Sequence, residues 1–346
     1  MTIVEAERAV IGGVDTHLDV HVAAALDPIG GVLGVESFVV TPRGYQSLLQ
    51  WMRSFGTVTK VGVEGTGAYG AGLARFLRGA GIEVVEVDRP NRQVRRQKGK
   101  SDPADAVEAA RGVLSGRSTG RPKTRDGNVE AIRVLLVAKR SAREGRLRAV
   151  HQMRQLSYTA PDALRGRFKG LSTTDLVAEV AAMRPRQGGD QVEYATKVSL
   201  ASLGRRALEL EDEIAQLDTL LAELVEVTAP DLLGLYGIGT DTAAVLLVAA
   251  GDNPERLRSE AAFAHLCGVA PIEASSGKVQ RHRLNRGGDR NANQALWRIV
   301  MTRLSFDPRT RDYMERRTKE GRSKREVIRI LKRYVAREVY RHLPRA

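Results

Sequence analysis

The sequence has one cysteine, few aromatic residues and no long apolar run. Because Cys267 is the only cysteine among 346 residues, an internal disulfide and zinc sites built on cysteine pairs are excluded. No run of about 18 apolar residues occurs, so we expect no transmembrane helix. The first residues, MTIVEAERAVIGGVD, carry acidic side chains where a signal peptide would be basic. These features predict a cytoplasmic protein without a membrane partner.

Acidic residues are outnumbered by basic ones. There are 55 Lys and Arg against 41 Asp and Glu, which gives a formal net charge of +14 at pH 7. Such an excess favours a polyanionic partner, most often nucleic acid, although an enzyme with a basic surface is the alternative. The segment RPNRQVRRQKGK concentrates this charge without any acid. We therefore predict nucleic-acid contacts from Arg89, Arg92, Arg95, Arg96, Lys98 and Lys100.

The order of the predicted elements favours a ribonuclease H-like fold for the first domain. Residues 9–40 read as a meander of three short strands, and helices alternate with two further strands after them. A Rossmann domain would normally begin with a βαβ unit instead. We predict an α/β, ribonuclease H-like domain with a mixed sheet over residues 1–127. A helical, coiled-coil region (128–228) and a mainly helical C-terminal domain (229–346) are expected to follow.

A heptad pattern indicates a coiled coil in the middle region. Apolar residues recur at alternating spacings of three and four, which is the period of a coiled-coil seam. Pairing within one chain and pairing between subunits both remain open. The seam consists of Leu200, Leu203, Ala207, Leu210, Ile214, Leu217, Leu221 and Leu224.

Four carboxylates are candidate metal ligands. Asp15 closes the first predicted strand and Glu64 closes the fourth, and these strands are neighbours in a ribonuclease H-like sheet. Asp102 and Asp105 lie three apart on one face of a predicted helix. Converging acids need a divalent cation, and Mg²⁺ suits oxygen ligands shared with a phosphate. The alternative is structural, because Asp15 could begin a turn and Asp102 could cap its helix.

The glycine loop after Glu64 permits a second interpretation. Gly65-x-Gly67-x-x-Gly70 has the spacing of a dinucleotide-binding turn, and Asp88 stands where a ribose-binding acid would. An NAD-binding oxidoreductase is therefore an alternative function. The preceding meander and the negative charge of Glu64 beside a pyrophosphate argue against it.

The last region contains two further candidates. Gly237 and Gly239 resemble a helix-hairpin-helix turn whose amides contact a DNA phosphate, although a plain tight turn is equally compatible. Ser275 and Ser276 precede a glycine, and a serine hydroxyl can attack a phosphate. Such a tripeptide is more often an ordinary loop. The basic residues after it, predicted to contact nucleic acid, are Lys278, Arg281, Arg283 and Arg286.

As a set, five segments resemble the DEDD-type transposases of the insertion-sequence 110 family, the recombinases guided by a bridge RNA. The segments are GVDTHLDVH, VGVEGTGAYG, KSDPADA, LLGLYGIGTDTA and GVAPIEASSGKVQRHRLNRGGDRNANQAL. The resemblance implies that the first domain is RuvC-like and carries a Mg²⁺-binding tetrad at Asp15, Glu64, Asp102 and Asp105. It also implies a nucleophilic serine, assigned to Ser276 with Ser275 as the second choice, which forms a covalent link to DNA.

The same resemblance implies the partners. These are donor and target DNA, a non-coding bridge RNA that pairs with both, and further copies of the chain in dimers and a tetramer. The nearest rival function is a RuvC-type, structure-specific endonuclease in which the acids direct water to a phosphate and Ser276 has no role. A non-catalytic nucleic-acid-binding protein is the other rival, and the presence of all four acids argues against it.

Overall fold

A computed structural model describes residues 8–87 and 101–344 and divides the chain into two compact units. The first unit contains the chain up to Asp126 together with Gly251–Arg258. The second contains Gly127–Ala250 and Ser259–Pro344. The predicted basic segment from Arg89 to Lys100, and Asp88 before it, lie outside the described residues.

The first unit is built on a five-stranded mixed sheet in the order β3-β2-β1-β4-β5. The antiparallel meander of β1, β2 and β3 comes first, and β4 and β5 then add in parallel to β1. This order confirms the predicted ribonuclease H-like fold. A doubly wound parallel sheet, which the dinucleotide interpretation required, is not formed by these strands. The strands are β1 (Ala9–Thr16), β2 (Val20–Leu26), β3 (Val32–Val39), β4 (Thr57–Glu64) and β5 (Glu83–Val87).

Helices cover both faces of this sheet. Alternate residues of β1 face opposite sides, as the period of a strand requires. Val10 and Val14 pack with the first two helices, and Ile11 packs with the third. The helices are α1 (Pro42–Arg53), capped by Thr41, α2 (Ala71–Gly79) and α3 (Asp102–Leu114).

Two glycines let α3 lie directly on the strands. A β-carbon on Gly13 would be 2.2 Å from the carbonyl oxygen of Ala106. On the neighbouring strand, a β-carbon on Gly62 would be 2.9 Å from the carbonyl oxygen of Ala109. Both separations are shorter than a packed side chain tolerates. The sheet therefore carries no side chain at these points, and α3 approaches it at the closest possible distance.

The second unit is mainly helical. Its only strands in the described part of the chain are β6 (Ile272–Glu273) and β7 (His282–Arg283), which form an antiparallel hairpin. None of the helices described in either unit is long and apolar enough to span a membrane. The helices are α4 (Asn128–Thr159), α5 (Asp162–Phe168), α6 (Thr173–Ala181), α7 (Gln191–Thr228), α8 (Pro230–Leu233), α9 (Thr240–Ala250), α10 (Glu260–Leu266), α11 (Arg290–Phe306), α12 (Pro308–Lys319) and α13 (Lys324–Arg341).

The heptad seam lies on α7, and α7 packs against α4 of the same chain. The two helices run antiparallel, because Arg146 of α4 pairs with Glu211 at 3.1 Å while Lys139, seven residues earlier, pairs with Asp218, seven residues later. Leu200, Ala207 and Leu221 of the seam are buried. Pairing within one chain therefore accounts for much of the pattern.

Candidate active site

Asp15 and Glu64 lie at the same edge of the sheet. Val14 pairs with Val63 in the parallel register of β1 and β4, so the residues that follow them are neighbours. The hydroxyl of Thr16 donates a hydrogen bond of 2.8 Å to the carbonyl oxygen of Glu64 and joins the two strand ends. Asp15 is 6% exposed, while Glu64 is half-buried. The fold thus brings together two acids that are far apart in sequence.

The first turn of α3 supplies the other two acids. Ser101 caps this helix, because its hydroxyl accepts a hydrogen bond from the backbone amide of Ala104. Capping by Asp102, the structural alternative, is therefore wrong. Asp102 is partly exposed and Asp105 is buried. The close contact between Gly13 and Ala106 holds the start of α3 near the end of β1. Asp15 lies two residues after Gly13, and Asp102 lies one helical turn before Ala106.

His17 is a candidate ligand that the sequence analysis missed. Its Nδ1 lies 3.8 Å from Asp15 Oδ2, and its Nε2 lies 3.8 Å from Asp102 Oδ1. One ligand atom from each of Asp15, His17 and Asp102 lies within 4.8 Å of the other two. Glu64 and Asp105 are outside this group of three. The signal in the sequence is the Asp-x-His spacing in GVDTH, which places His17 two residues after the predicted ligand Asp15.

The chemistry of this group fits a divalent cation. Two carboxylates contribute hard oxygen atoms, which suit Mg²⁺ and Mn²⁺, and imidazole adds a nitrogen that suits Mn²⁺ and Zn²⁺ better than Mg²⁺. The side chain of Asp15 is almost entirely shielded, while those of His17 and Asp102 are each 42% exposed. The site is therefore anchored in the protein on one side and open to a substrate on the other.

The glycine loop folds tightly around the end of β4. Gly65 has a φ of +68°, and its carbonyl oxygen accepts hydrogen bonds from the amides of Ala68 and Gly70. A β-carbon on Gly70 would lie 2.8 Å from the carbonyl oxygen of Glu64. The hydroxyl of Thr66 donates to Glu86 at 2.5 Å. The glycine spacing therefore serves the close return of the chain beside Glu64.

The two serines lie near the tip of the β6–β7 hairpin in the second unit. Ser276 and Val279 exchange two backbone hydrogen bonds of 3.1 Å across a turn that contains Gly277 at a φ of +57°. The hydroxyl of Ser275 accepts a hydrogen bond from the amide of Arg281 at 3.2 Å. The hydroxyl of Ser276 has no hydrogen bond to residues 8–87 or 101–344. Ser276 is thus the more available of the two.

Basic side chains surround this hairpin. Every one of the four cations predicted to contact nucleic acid is exposed. They are Lys278, Arg281, Arg283 and Arg286.

The predicted helix-hairpin-helix turn connects α8 to α9. Gly237 has a φ of +79°, and the carbonyl oxygen of Tyr236 beside it accepts a hydrogen bond of 2.8 Å from Arg303. The amide of Gly239 donates to the Thr242 hydroxyl at 3.1 Å. That bond caps the start of α9 and competes with a phosphate for the amide. Contact between DNA and Gly237 or Gly239 stays a prediction.

Two family models match the segments of the chain that contain the acidic residues and the serines. A transposase family model of the DEDD type, named for IS110, matches residues 12–157, and these contain Asp15, Glu64, Asp102 and Asp105. The transposase IS116/IS110/IS902 family matches residues 230–315, and these contain Gly237, Gly239, Ser275 and Ser276.

Two curated relatives come from insertion elements. The insertion element IS110 uncharacterized 43.6 kDa protein of Streptomyces coelicolor is 33% identical over 125 residues, 36% of this chain and 29% of the relative. The insertion element IS900 uncharacterized 42 kDa protein of Mycobacterium paratuberculosis is 25% identical over 191 residues, 51% of this chain and 48% of the relative. The chain thus matches less than half the length of either relative. The two family matches agree with each other, and the chain belongs to the IS110 family of DEDD transposases.

Proposed function

We propose that the protein cleaves and rejoins DNA strands to move an insertion sequence. A divalent cation, Mg²⁺ in the cell, would be held by the acidic site of the first unit, and Ser276 of the second unit would be the nucleophile. The observation that carries this proposal is the meeting of Asp15 and Asp102 with His17 within 4.8 Å, at the sheet edge where Glu64 also ends its strand. Acids from three separate elements converge there, which a purely structural role does not require.

Each residue of the first unit has a distinct part. Asp15 and Asp102 would hold the cation, with His17 as a third ligand and Glu64 and Asp105 completing the tetrad. The bound cation supplies positive charge that stabilises the developing negative charge on a phosphate. The Thr16–Glu64 hydrogen bond and the Gly13 contact keep the three elements in place, so that little reorganisation is needed.

Ser276 would carry the covalent step. Its Oγ attacks the phosphorus of a DNA phosphodiester and loses its proton, while one ester oxygen of the DNA leaves as a free hydroxyl. In the reverse step, a DNA hydroxyl attacks the serine phosphodiester, which restores the DNA linkage and frees Ser276. No external energy source is needed, because the ester bond is conserved throughout. Ser276 is preferred to Ser275 because the Ser275 hydroxyl already holds the Arg281 amide.

The remaining partners belong to the same proposal. Exposed Lys278, Arg281, Arg283 and Arg286 would contact DNA phosphates beside the serine. A non-coding bridge RNA would select donor and target DNA by base pairing, and dimers or a tetramer would assemble on them. We also propose that the chain has three functional domains, at residues 1–127, 128–228 and 229–346.

A denaturation-resistant protein–DNA adduct tests the proposal. Purified full-length protein is incubated with Mg²⁺, the RNA expressed with it and labelled DNA from the flanks of its gene. We expect an adduct with wild type and with Ser275→Ala, the matched control, and none with Ser276→Ala or Asp15→Asn. Cleaved DNA without an adduct in wild type would contradict the serine step. That result would favour the second candidate, a RuvC-type endonuclease that uses water, which needs only the acidic site.

A further inference from the structure

A cavity of about 590 Å³ lies at the base of the β6–β7 hairpin. One wall is formed by the two chain segments that enter and leave the hairpin, Gly268–Pro271 and residues 284–286. Most of the other lining residues lie on α13, and Asn293 of α11 and Arg322 complete the lining. A volume of this size falls in the range of sites for small organic ligands, which is roughly 300–1,000 Å³.

Three cations that line the cavity form no ion pair with a carboxylate in the described part of the chain. They are Arg286, Arg329 and Lys332. The charge of Arg329 acts at longer range on Glu326, whose pKa it helps to lower. Lys332 Nζ instead donates to Asn293 Oδ1 at 2.8 Å. Burial lowers the pKa of Lys332, and the nearby Arg329 lowers it further. An anion bound between Arg329 and Lys332 would stabilise the charged form of Lys332 and raise its pKa again. This part of the cavity therefore suits a phosphate.

Two other charged residues of the lining already have partners within the protein. Arg333 pairs with Glu260 of α10, and Glu326 completes the capping box of α13 with Ser323. Arg322, which also lines the cavity, lies 3.9 Å from Glu326. The excess positive charge of the cavity therefore rests on Arg286, Arg329 and Lys332.

The rest of the lining is apolar. Tyr334 is 47% exposed and Leu284 is 51% exposed, although both are large side chains that proteins usually bury. The rings of Tyr313 and Tyr334 meet in a T-shaped arrangement, with a centroid distance of 5.9 Å and an interplanar angle of 81°, which restrains the orientation of Tyr334. Val269, Pro271 and Ile330 extend the apolar surface. An exposed aromatic ring next to unpaired cations is the combination that binds an unstacked base and its phosphate.

We propose that this cavity binds one unpaired nucleotide of the DNA strand that Ser276 attacks. The base would stack on Tyr334 and contact Leu284, and its phosphate would be held by Arg329 and Lys332. The proposal rests on the proposed function of Ser276 as the nucleophile. The two segments that line the cavity also lead into and out of the hairpin that carries Ser276. From Ile272 to Ser276 the arm spans roughly 13 Å at about 3.3 Å per residue, or roughly four nucleotides at about 3.4 Å each.

Photocrosslinking tests the base contact directly. Full-length Ser276→Ala protein, which binds without chemistry, is mixed with single-stranded DNA from the element flanks. In each oligonucleotide a single 5-iododeoxyuridine replaces one base near the cleavage position. We expect crosslinks to Tyr334, located by mass spectrometry, at one position within about four nucleotides of the attacked phosphate. A crosslink distributed over other residues, with Tyr334 unmodified, would overturn the assignment.

Equilibrium binding of the same oligonucleotides gives a second measurement. Tyr334→Ala should weaken binding roughly tenfold and Tyr334→Phe should preserve it, while Tyr158→Ala, an exposed tyrosine on α4, should have no effect. Arg329→Ala should weaken binding and reduce the salt dependence by about one phosphate contact. Arg325→Ala, an exposed cation of α13 that does not line the cavity, is its control and should change binding much less. Equal losses in both arginine variants would contradict a specific phosphate site.

The two proposals fail in different ways. A Tyr334 crosslink together with no serine adduct in wild type would leave the nucleotide cavity in place and overturn the serine mechanism. A serine adduct with no Tyr334 dependence of binding would do the reverse. Preferential binding and crosslinking of RNA of the same sequence would overturn the assignment of the cavity to DNA.

Discussion

Gly13 and Ala106 are in contact through their backbones, since a β-carbon on Gly13 would lie 2.2 Å from the Ala106 carbonyl oxygen. This contact lets α3 pack directly against β1, and it sets the position of Asp102 relative to Asp15. One glycine of a strand thus controls the geometry of a site two residues further along.

Gly13→Ala should therefore damage both stability and metal binding. The added methyl group must displace helix backbone, and we expect a loss of roughly 1–3 kcal/mol of unfolding free energy. Thermal unfolding with and without Mn²⁺ measures this, and the stabilisation by the metal should shrink as well. Gly166→Ala is the control, because no atom lies within 4 Å of its added carbon and it sits inside α5. An unchanged melting temperature for Gly13→Ala would contradict the contact.

His17 should contribute to metal affinity. Its two ring nitrogens lie 3.8 Å from carboxylate oxygens of Asp15 and Asp102, so His17→Gln removes one of three ligand groups. We expect Mn²⁺ to bind on the order of tenfold more weakly by calorimetric titration, a loss typical of a site that keeps its remaining ligands. His151→Gln, an exposed histidine on α4, should titrate like wild type. Equal affinity in the two variants would exclude His17 from the site.

Much of the first unit could be predicted from the sequence because its signals are local. Alternating apolar residues and turn residues marked β1, β2 and β3, and their order sufficed for the ribonuclease H-like sheet. The placing of Asp15 and Glu64 at strand ends followed directly from these boundaries. His17 was missed because its position depends on how β1 and α3 meet, which is a tertiary contact made by Gly13.

Other features could not be predicted because they depend on distant partners. Asn253 belongs to the first unit, and its side chain bonds the Thr124 amide and the Pro122 carbonyl, more than 120 residues earlier. The heptad pattern of α7 does not specify its partner, and only the folded structure identifies α4, through apolar packing and the pairs Arg146–Glu211 and Lys139–Asp218. Because α4 covers part of the seam between residues 200 and 224, a second copy of the chain could contact only those side chains of α7 that α4 leaves uncovered.

His21 should make the first unit sensitive to acid. It is fully buried on β2 and stacks on Tyr45, and burial lowers its pKa from 6.5 to about 4. The unfolded chain binds a proton near pH 6.5 while the folded chain does not, so its contribution to stability is full above pH 6.5. That contribution is lost as the pH falls toward 4, and it amounts to about 3 kcal/mol.

His21→Phe checks this effect because it keeps a ring against Tyr45 but cannot titrate. Denaturant unfolding at several pH values between 7 and 4 should show wild type losing about 3 kcal/mol more than the variant. His151→Gln should follow wild type, since its side chain is exposed. Parallel stability curves for wild type and His21→Phe would mean that folding does not lower the pKa of His21.

The buried charge of Lys139 should contribute to the stability of the second unit. It is 3% exposed, and its ammonium group pairs with Asp218 of α7 and Asp241 of α9. Lys139→Met would leave both acids without this partner, and we expect a loss of roughly 2–3 kcal/mol. This is less than the 3–5 kcal/mol of a fully buried pair, because the acids are 45% and 33% exposed and keep part of their hydration.

Two variants separate this electrostatic loss from simple packing. Lys197→Met breaks an i,i+4 pair with Glu193 on the surface of α7 and should cost less than about 1 kcal/mol. Lys139→Met combined with Asp218→Asn and Asp241→Asn should recover part of the lost stability, because no carboxylate then lacks its ammonium partner. The recovery is partial because Arg143, which is 50% exposed, loses its pair with Asp241. Failure of the triple variant to recover stability would show that the Lys139 methylene chain matters more than its charge. Since α9 begins directly after Gly239, Lys139→Met should also loosen the Gly237–Gly239 turn, measurable as faster amide exchange there, while Lys197→Met should not.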